Sequence, residues 1–279
     1  MDLTFERNQH TKKLCNEFRI KLIDVLYYIQ TGHPGGSLSS VEIITTLYFN
    51  KMNIDPCNKD MKNRDRFILS KGHAAPILYL VLAELGYFPK EDIFTLRQLN
   101  SYLQGHPCAN KTPGVDFSTG SLGLGLSAGL GMALVAKMDG RDYYTYVLLG
   151  DGEIQEGIIW EAAMAAVKFK ADNLIAILDN NGVQLDGTTD EIMPLGNISD
   201  KWKAFGWNVI QINGHSVSMI SNAINEAKKI KGVPTMIIAS TIKGKGVSFM
   251  EGKSIWHGKS ISKQEYKQAM NELRGDTDV

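Results

Sequence analysis

The chain has 279 residues, enough for one large α/β domain or two small ones with a substantial hydrophobic core. Thirty Lys and Arg residues balance thirty Asp and Glu residues, so no net charge favours nucleic acid or an anionic membrane as the main partner. These figures favour an enzyme of small-molecule metabolism.

The hydrophobic periodicity predicts helices that alternate with short apolar strands. The predicted helices span residues 11–29, from Ser39 or Ser40 to Asn50, 75–85, 122–138, 158–169 and 216–230. The predicted strands span residues 67–69, 143–149, 174–178, 207–212 and 235–239. Strands separated by helices imply βαβ units with right-handed crossovers. We therefore expect an α/β fold with a parallel sheet flanked by helices, as a single domain over residues 1–279 with a flexible tail at 272–279.

Three further features bear on location, redox chemistry and membrane insertion. The charged first residues lack the apolar stretch of a secretory signal, so we expect a cytoplasmic protein. Cys15, Cys57 and Cys108 are odd in number and widely spaced, which argues against a disulfide framework or a cysteine zinc site. The longest apolar stretch, residues 122–138, contains four glycines and is short for a membrane span, so it is interpreted as a closely packed soluble helix.

The strongest local pattern is a pair of polar turns that follow two strands. The motif GDG at 150–152 follows strand 143–149, and DNNG at 179–182 follows strand 174–178. Either turn alone is explained by the turn preferences of Gly, Asp and Asn. Together, on neighbouring parallel strands, they bring Asp151 and Asn181 to one sheet edge, where ligands bind. Carboxylate and amide oxygens, a backbone carbonyl near Val183 and a diphosphate would satisfy the six-oxygen coordination of Mg²⁺.

Three other motifs are rejected. The sequence GLGLSA at 123–128 matches a dinucleotide fingerprint, but the preceding segment is loop-like where that fingerprint needs a strand. The sequence GKS at 252–254 lacks the upstream glycine of a phosphate-binding P-loop, and no Ser-His-Asp or Cys-His arrangement can be argued from the sequence. We therefore expect neither a nucleotide triphosphatase nor a serine hydrolase.

The histidines fall into two groups. Four of them lie in the glycine-containing loop motifs GHPGG, SKGHA, GHP and WHG, where imidazole can donate and accept protons near neutral pH: His33, His73, His106 and His257. The other two, His10 and His215, are interpreted as structural residues.

At this point the sequence resembles the amino-terminal half of transketolase, within the thiamine diphosphate enzymes. The resemblance rests first on GDG, 27 intervening residues and then NN. It is extended, in the family's order, by TGHPGGSLSS, SKGHAAP, QGHP, PGVDFSTGSLGLGLSAGLGMA, GDGEIQEG, DNNGVQLDGTT, IKGKGVSF and WHGK. These segments cover nearly the whole chain and imply the diphosphate-binding (PP) domain of the thiamine diphosphate fold.

The resemblance implies a role for each matching residue. Asp151, Asn181 and the carbonyl of Val183 would bind Mg²⁺. The residues implied to contact thiamine diphosphate are His73, Gly120, Leu122, Gly152, Asn181, Leu185 and His257. His33, His106 and His257 would face the substrate and transfer protons. Glu156 and Glu161 match acidic residues of a proton network near the subunit interface.

The chief departure from the family is length. Single-chain members continue into a pyrimidine-binding domain and a carboxyl-terminal domain, which hold the glutamate that activates the cofactor and the basic residues that bind sugar phosphate. This sequence stops shortly after Lys259. We therefore expect a split transketolase that transfers a two-carbon ketol unit between sugar phosphates and works only with a separately encoded partner, in an α2β2 assembly.

Alternative functions remain open at this stage. One is a specialised sugar transketolase; another is a subunit that resembles deoxyxylulose-phosphate synthase or the decarboxylase of a 2-oxo-acid dehydrogenase. Ser70-Lys71-Gly72-His73-Ala74 and His106-Pro107 favour transketolase over the last two. A non-catalytic cofactor-binding relative is a different class of protein, and the retained metal ligands and substrate-facing histidines argue against it.

Overall fold

A computed structural model, which describes residues 3–58 and 61–275, contains a five-stranded parallel sheet between two layers of helices. The strands, in the spatial order β1-β2-β3-β5-β4, are β1 (Arg66–Leu69), β2 (Thr145–Gly150), β3 (Leu174–Asn180), β4 (Asn208–Asn213) and β5 (Thr235–Ser240). The helices are α1 (Leu3–Ile29), α2 (Pro34–Ser39), α3 (Val41–Thr46), α4 (Ala75–Glu84), α5 (Leu124–Met138), α6 (Gly157–Lys168), α7 (Thr189–Ile192), α8 (Ile198–Ala204), α9 (Val217–Lys229) and α10 (Lys263–Gly275). The predicted α/β class and parallel sheet are confirmed.

The central strands are buried on both faces, because helices cover both sides of the parallel sheet. Every residue of β2 is buried, as are the first six of β3. Tyr146 and Leu148 face a core built with α1, α3, α4 and α9, whereas Val147 and Leu149 face a second core built with α5, α6 and α8. The alternation along one strand thus fills two separate apolar layers.

Two glycines let α5 lie unusually close to the sheet. A Cβ atom on Gly125 would come within 2.2 Å of the Ser70 hydroxyl oxygen, and one on Gly129 within 2.4 Å of a Val147 methyl group. Neither position has room for a side chain. The closely packed helix expected from this glycine-rich stretch is therefore present, and it begins at Leu124.

The fold departs from the sequence-based predictions at several places. The segment around Gly32–Gly36 was expected to separate two helices, but α2 begins within it at Pro34, since proline suits the first position of a helix. The first helix begins at Leu3, and α7, α8 and α10 were not predicted. Residues 272–275 of the predicted tail belong to α10, while residues 276–279 lie outside the described residues.

Within residues 3–58 and 61–275, no helix combines the length and the hydrophobicity that crossing a bilayer requires.

Candidate functional site

The candidate site lies where the loops after β3 and β5 diverge. The chain leaves β3 towards α8, on the α6 side of the sheet, but after β5 it continues to α10, which packs on the α1 side. Neighbouring parallel strands whose loops separate in this way leave a crevice at their carboxyl ends, which is the usual ligand site of an open α/β sheet. Gly150 pairs with Asp179, so the end of β2 borders the same crevice.

A cavity of about 380 Å³ fills this crevice, within the usual range of small-molecule sites. Its lining includes every residue that the sequence analysis assigned to the metal, the cofactor or the substrate, together with Glu156. These are His33, His73, His106, Gly120, Leu122, Asp151, Gly152, Glu156, Asn181, Val183, Leu185 and His257. Residues from separated segments of the chain therefore share one cleft.

Asp151 and Asn181 are held by backbone N–H groups of the two turns. One carboxylate oxygen of Asp151 accepts from Gly152 N at 2.8 Å, and the other accepts from Gly182 N at 2.5 Å, so this side chain joins the ends of β2 and β3. The amide oxygen of Asn181 accepts from Val183 N at 3.1 Å. Burial and the neighbouring Asp179 raise the pKa of Asp151 to about 6 despite these N–H donors. A cation at this place would offset the charge that burial disfavours.

Four glycine-flanked histidines form one cluster. The ring centroid of His33 lies 5.4 Å from that of His73, 6.4 Å from that of His106 and 5.3 Å from that of His257. The rings of His73 and His257 are 4.8 Å apart. The sequence predicts that these loop histidines belong to a functional site. Only the structure shows that their rings are neighbours.

Two cations fix the tautomers of two of these rings. Arg97 Nη2 lies 3.3 Å from His33 Nδ1, and Lys243 Nζ lies 3.0 Å from His257 Nδ1. Guanidinium and ammonium groups only donate, so each Nδ1 atom accepts and each Nε2 atom carries the proton. Both rings therefore keep an Nε2–H donor.

The histidines of the cluster favour the neutral form. Burial, followed by Arg97, His106 and Lys243, lowers the pKa of His33 to about 4. Burial, followed by Lys243, His33 and Lys71, lowers the pKa of His257 to about 3. Burial also lowers the pKa of His73, with Lys71 as the next cause, and that of His106, with Arg97 as the next cause. An anion in the cleft would reverse part of these shifts.

A buried ion pair lies beneath the cleft. Lys71 Nζ donates to Asp179, to the Gly36 carbonyl at 3.1 Å and to Ser40 Oγ at 3.2 Å. Asp179 also accepts from the hydroxyls of Ser39 and Thr241. Burial opposes the ionisation of Asp179, but the Lys71 ammonium and these hydroxyls hold its pKa below the ordinary value. The network ties α2, the end of β3 and the loops after β1 and β5 together.

Sequence reasoning missed three charged residues of the cleft. Lys71, Glu153 and Lys243 all line it, and none of them is more than 2% exposed. Lys71 and Lys243 stand inside the quoted segments SKGHAAP and IKGKGVSF, and Glu153 directly follows GDG, but nothing in these patterns indicates burial. Glu153 accepts from Gly123 N at 2.9 Å and from Gly150 N at 3.0 Å, which fixes the entry of α5 against the end of β2.

The two glutamates assigned to a proton network lie apart. Glu156 is exposed at the rim of the cleft, at the amino-terminal end of α6. Glu161 is exposed on α6 and does not line the cavity. The structure therefore brings Glu156, but not Glu161, to the candidate site.

The residues present fit a magnesium diphosphate. Lys71 and Lys243 bring positive charge to the cleft, and the histidine rings bring N–H donors, which is the donor set that phosphate oxygens need. The glycine at 152 leaves space that a side chain would fill, because a Cβ atom there would come within 3.0 Å of Gln184 Cβ. Asp151 and Asn181 supply two oxygen-bearing side chains, the number that Mg²⁺ ordinarily takes from a protein when phosphates complete its coordination.

Comparisons with known proteins agree with this geometry. Residues 10–277 match the family model described as "Transketolase, thiamine diphosphate binding domain". The chain is 46% identical to the 6-deoxy-6-sulfo-D-fructose transketolase subunit SqwG of Clostridium sp. (strain MSTE9), over 93% of this chain and 94% of that protein. It is 44% identical to one subunit of the apulose-4-phosphate transketolase of Phocaeicola vulgatus, over 91% of this chain and 90% of that protein.

Among solved structures, the transketolase of Pichia stipitis in complex with sedoheptulose 7-phosphate superposes with a TM-score of 0.90 at 33% identity. The alignment covers 95% of this chain but only 40% of that one. The fold is thus that of one part of a longer enzyme, whereas the two subunit relatives have nearly the length of this chain.

Proposed function

Because this chain belongs to the transketolase family and matches its thiamine diphosphate-binding domain, we propose that it is the amino-terminal subunit of a split transketolase. The enzyme would transfer a two-carbon ketol unit from a ketose phosphate to an aldose phosphate, with thiamine diphosphate and Mg²⁺ as cofactors. The observation that carries the proposal is the convergence of Asp151, Asn181, His73 and His257 on one cleft.

The metal end of the site is assigned to the two strand-end turns. Asp151, Asn181 and the Val183 carbonyl would bind Mg²⁺, and Gly152, His73 and His257 would contact the diphosphate. Backbone N–H donors hold the Asp151 and Asn181 oxygens in place before the cation arrives, which reduces the cost of ordering them.

The other side of the cleft would face the organic part of the cofactor and the sugar. Gly120 and Leu122 would line the aminopyrimidine, and Leu185, which is exposed at the cleft, would pack against the cofactor ring. Thiamine diphosphate, when bound, supplies the electron sink for breaking and forming the carbon–carbon bond.

His33, His106 and His257 are proposed to bind the sugar hydroxyls and to transfer protons. Neutral rings suit this role, because such a ring both donates and accepts a hydrogen bond. The Nε2–H groups of His33 and His257 are the donors that the cations behind these rings leave available. Glu156, exposed at the rim, would take part in proton transfer at the border with a partner.

The partner is proposed to be a separately encoded protein with the pyrimidine-binding and carboxyl-terminal domains. The support is that relatives of nearly equal length are named transketolase subunits, whereas this chain spans 40% of the single-chain Pichia enzyme. We propose an α2β2 assembly in the cytoplasm. Sugar phosphates, and the apulose phosphate and sulfofructose named for the relatives, are the substrates to test first.

Reconstitution tests this proposal. The candidate partner is the product of a neighbouring reading frame that encodes the two remaining domains. Ketol transfer from xylulose 5-phosphate, apulose 4-phosphate and 6-deoxy-6-sulfofructose should appear only when both subunits, thiamine diphosphate and Mg²⁺ are mixed. Full turnover by this chain alone would refute the split enzyme, and cofactor binding without turnover with any partner would favour a non-catalytic relative.

A further inference from the structure

The loop after β5 carries Lys243 into the cleft, and two side chains outside the cleft hold it. Ile242 N donates to His215 Nε2 at 2.8 Å, and Arg19 Nε donates to the Lys245 carbonyl at 3.1 Å. These two bonds hold the backbone on both sides of Lys243. Neither His215 nor Arg19 lines the cavity.

His215 and Arg19 are joined through one carboxylate. His215 Nδ1 lies 2.9 Å from one oxygen of Glu42, and Arg19 Nη2 lies 2.6 Å from the other. Burial opposes the ionisation of Glu42, but Arg19 and His215 hold its pKa below the ordinary value. The three side chains come from α1, α3 and the turn after β4, so the loop is anchored to three distant elements.

The partners of His215 define its tautomer. A backbone N–H group can only donate, so Nε2 accepts from Ile242 and the ring proton lies on Nδ1. Nδ1–H in turn donates to the Glu42 carboxylate. His215 therefore acts as a two-ended connector, with a required acceptor at the ε position and a required donor at the δ position.

Lys243 depends on this support because it has several partners in the cleft. Its Nζ donates to the carbonyls of Val183 at 3.1 Å and Gln184 at 3.2 Å, and to His257 Nδ1. A lysine side chain has four rotatable bonds. Its ammonium group can therefore stay in contact with several acceptors only if the backbone at Lys243 is held in place. A shift of Ile242 would move the cation and the His257 ring together.

We propose that His215, interpreted from the sequence as structural, is a positioning residue for the diphosphate site. It acts through Ile242 and Lys243 on the anion-binding end of the cleft. This inference rests on the proposed function, since it concerns the binding of magnesium thiamine diphosphate.

Two near-isosteric variants test the two hydrogen bonds of His215 separately. In His215→Gln the amide oxygen reaches the ε position and keeps an acceptor for Ile242 N–H. In His215→Asn the amide reaches only the δ position, so a donor to Glu42 is kept and the loop bond is lost. We expect His215→Asn to weaken the affinity for magnesium thiamine diphosphate about tenfold or more, the usual cost of losing an outer supporting partner, and His215→Gln to stay close to wild type.

Three measurements on the full chain distinguish positioning from a general structural role. Calorimetry gives the cofactor affinity, hydrogen exchange of a peptide that covers Ile242 reports the loop, and urea unfolding reports stability. We expect faster exchange at Ile242 in His215→Asn only. In a Lys243→Met background, His215→Asn should cause no further loss of affinity, because the residue through which it acts is gone.

The outcomes are decisive in both directions. Equal affinity of the Asn and Gln variants, or losses of affinity that add when His215→Asn is combined with Lys243→Met, would overturn the positioning role. If wild type binds the cofactor while these results are found, only this inference fails. If wild type binds no magnesium thiamine diphosphate with or without the partner, the proposed function fails and the positioning role fails with it.

Discussion

Lys243 Nζ donates to the carbonyl oxygen of Val183 at 3.1 Å, the same oxygen that is proposed to bind Mg²⁺. A lysine ammonium thus holds one expected metal ligand. Burial and the neighbouring Lys71 lower the pKa of Lys243 to about 8, so this side chain loses its positive charge at a lower pH than an ordinary lysine does. Its position would make it a partner of the proposed diphosphate and a competitor of the proposed cation.

Replacing this lysine should therefore have opposite effects on the two ligands. In Lys243→Met, we expect Mn²⁺ alone to bind more tightly, because no ammonium competes for the Val183 carbonyl. Inorganic diphosphate should bind about tenfold or more weakly, the cost of losing a charge-assisted contact. Paramagnetic resonance of Mn²⁺ and calorimetry with diphosphate measure the two affinities. Lys253→Met, at an exposed position, serves as the control, and a loss of both affinities would contradict this account.

Cation binding should depend on pH through Asp151. Its folded pKa is raised to about 6, so the side chain is ionised above this pH and protonated below it. Because the proton competes with the cation for the carboxylate, Mn²⁺ affinity should fall about tenfold per unit well below pH 6 and level off towards pH 7. A titration from pH 5 to pH 8 at constant ionic strength tests this, and an affinity that rises as the pH falls would contradict it.

The Lys71–Asp179 ion pair should matter for stability more than surface pairs do. Lys71→Met leaves a buried, uncompensated carboxylate, so we expect a loss of roughly 3–5 kcal/mol in the free energy of unfolding. The double variant Lys71→Met/Asp179→Leu should recover much of that loss. Glu226→Ala, which removes the exposed pair with Lys229, should cost less than about 1 kcal/mol. Urea unfolding measures all three, and equal losses in the two single variants would refute the importance of burial.

Two glycines of α5 provide a matched pair for the packing of the helix on the sheet. Gly125→Ala places a methyl group against Ser70, so we expect destabilisation of roughly 1–3 kcal/mol. Gly131→Ala meets no atom within 4 Å and lies on an exposed helical face, so it should stabilise by roughly 0.5–1 kcal/mol. Thermal unfolding of both variants tests the difference, and a neutral Gly125→Ala would show that the helix does not lie this close to β1.

Periodicity was sufficient to predict the layered fold, because buried strands and amphipathic helices leave regular patterns. It failed at α2, where Gly35 and Gly36 oppose a helix on propensity. There the close approach of Trp256 and His73 leaves no room for larger side chains, and tertiary contacts override the local preference. Such contacts come from residues far along the chain and leave no local pattern.

The sequence motifs were sufficient to indicate which residues line the cleft. They did not indicate the buried side chains that hold those residues in place. Lys71 and Lys243 are buried cations, which composition statistics place at the surface. The anchoring of Ile242 by His215 requires the turn after β4 to reach the loop after β5, which only the strand order makes possible. Spacing along the sequence does not encode that proximity.

The central claim is that this cleft binds the diphosphate end of thiamine diphosphate through Mg²⁺ and Asp151. The most direct measurement is a calorimetric titration of the chain, with its partner, with thiamine diphosphate or thiamine, with and without Mg²⁺. We predict saturable binding of thiamine diphosphate that requires Mg²⁺, no comparable binding of thiamine, and loss of binding in Asp151→Ala but not in the exposed control Asp190→Asn. Equal affinity without Mg²⁺, or unchanged affinity in Asp151→Ala, would contradict the claim.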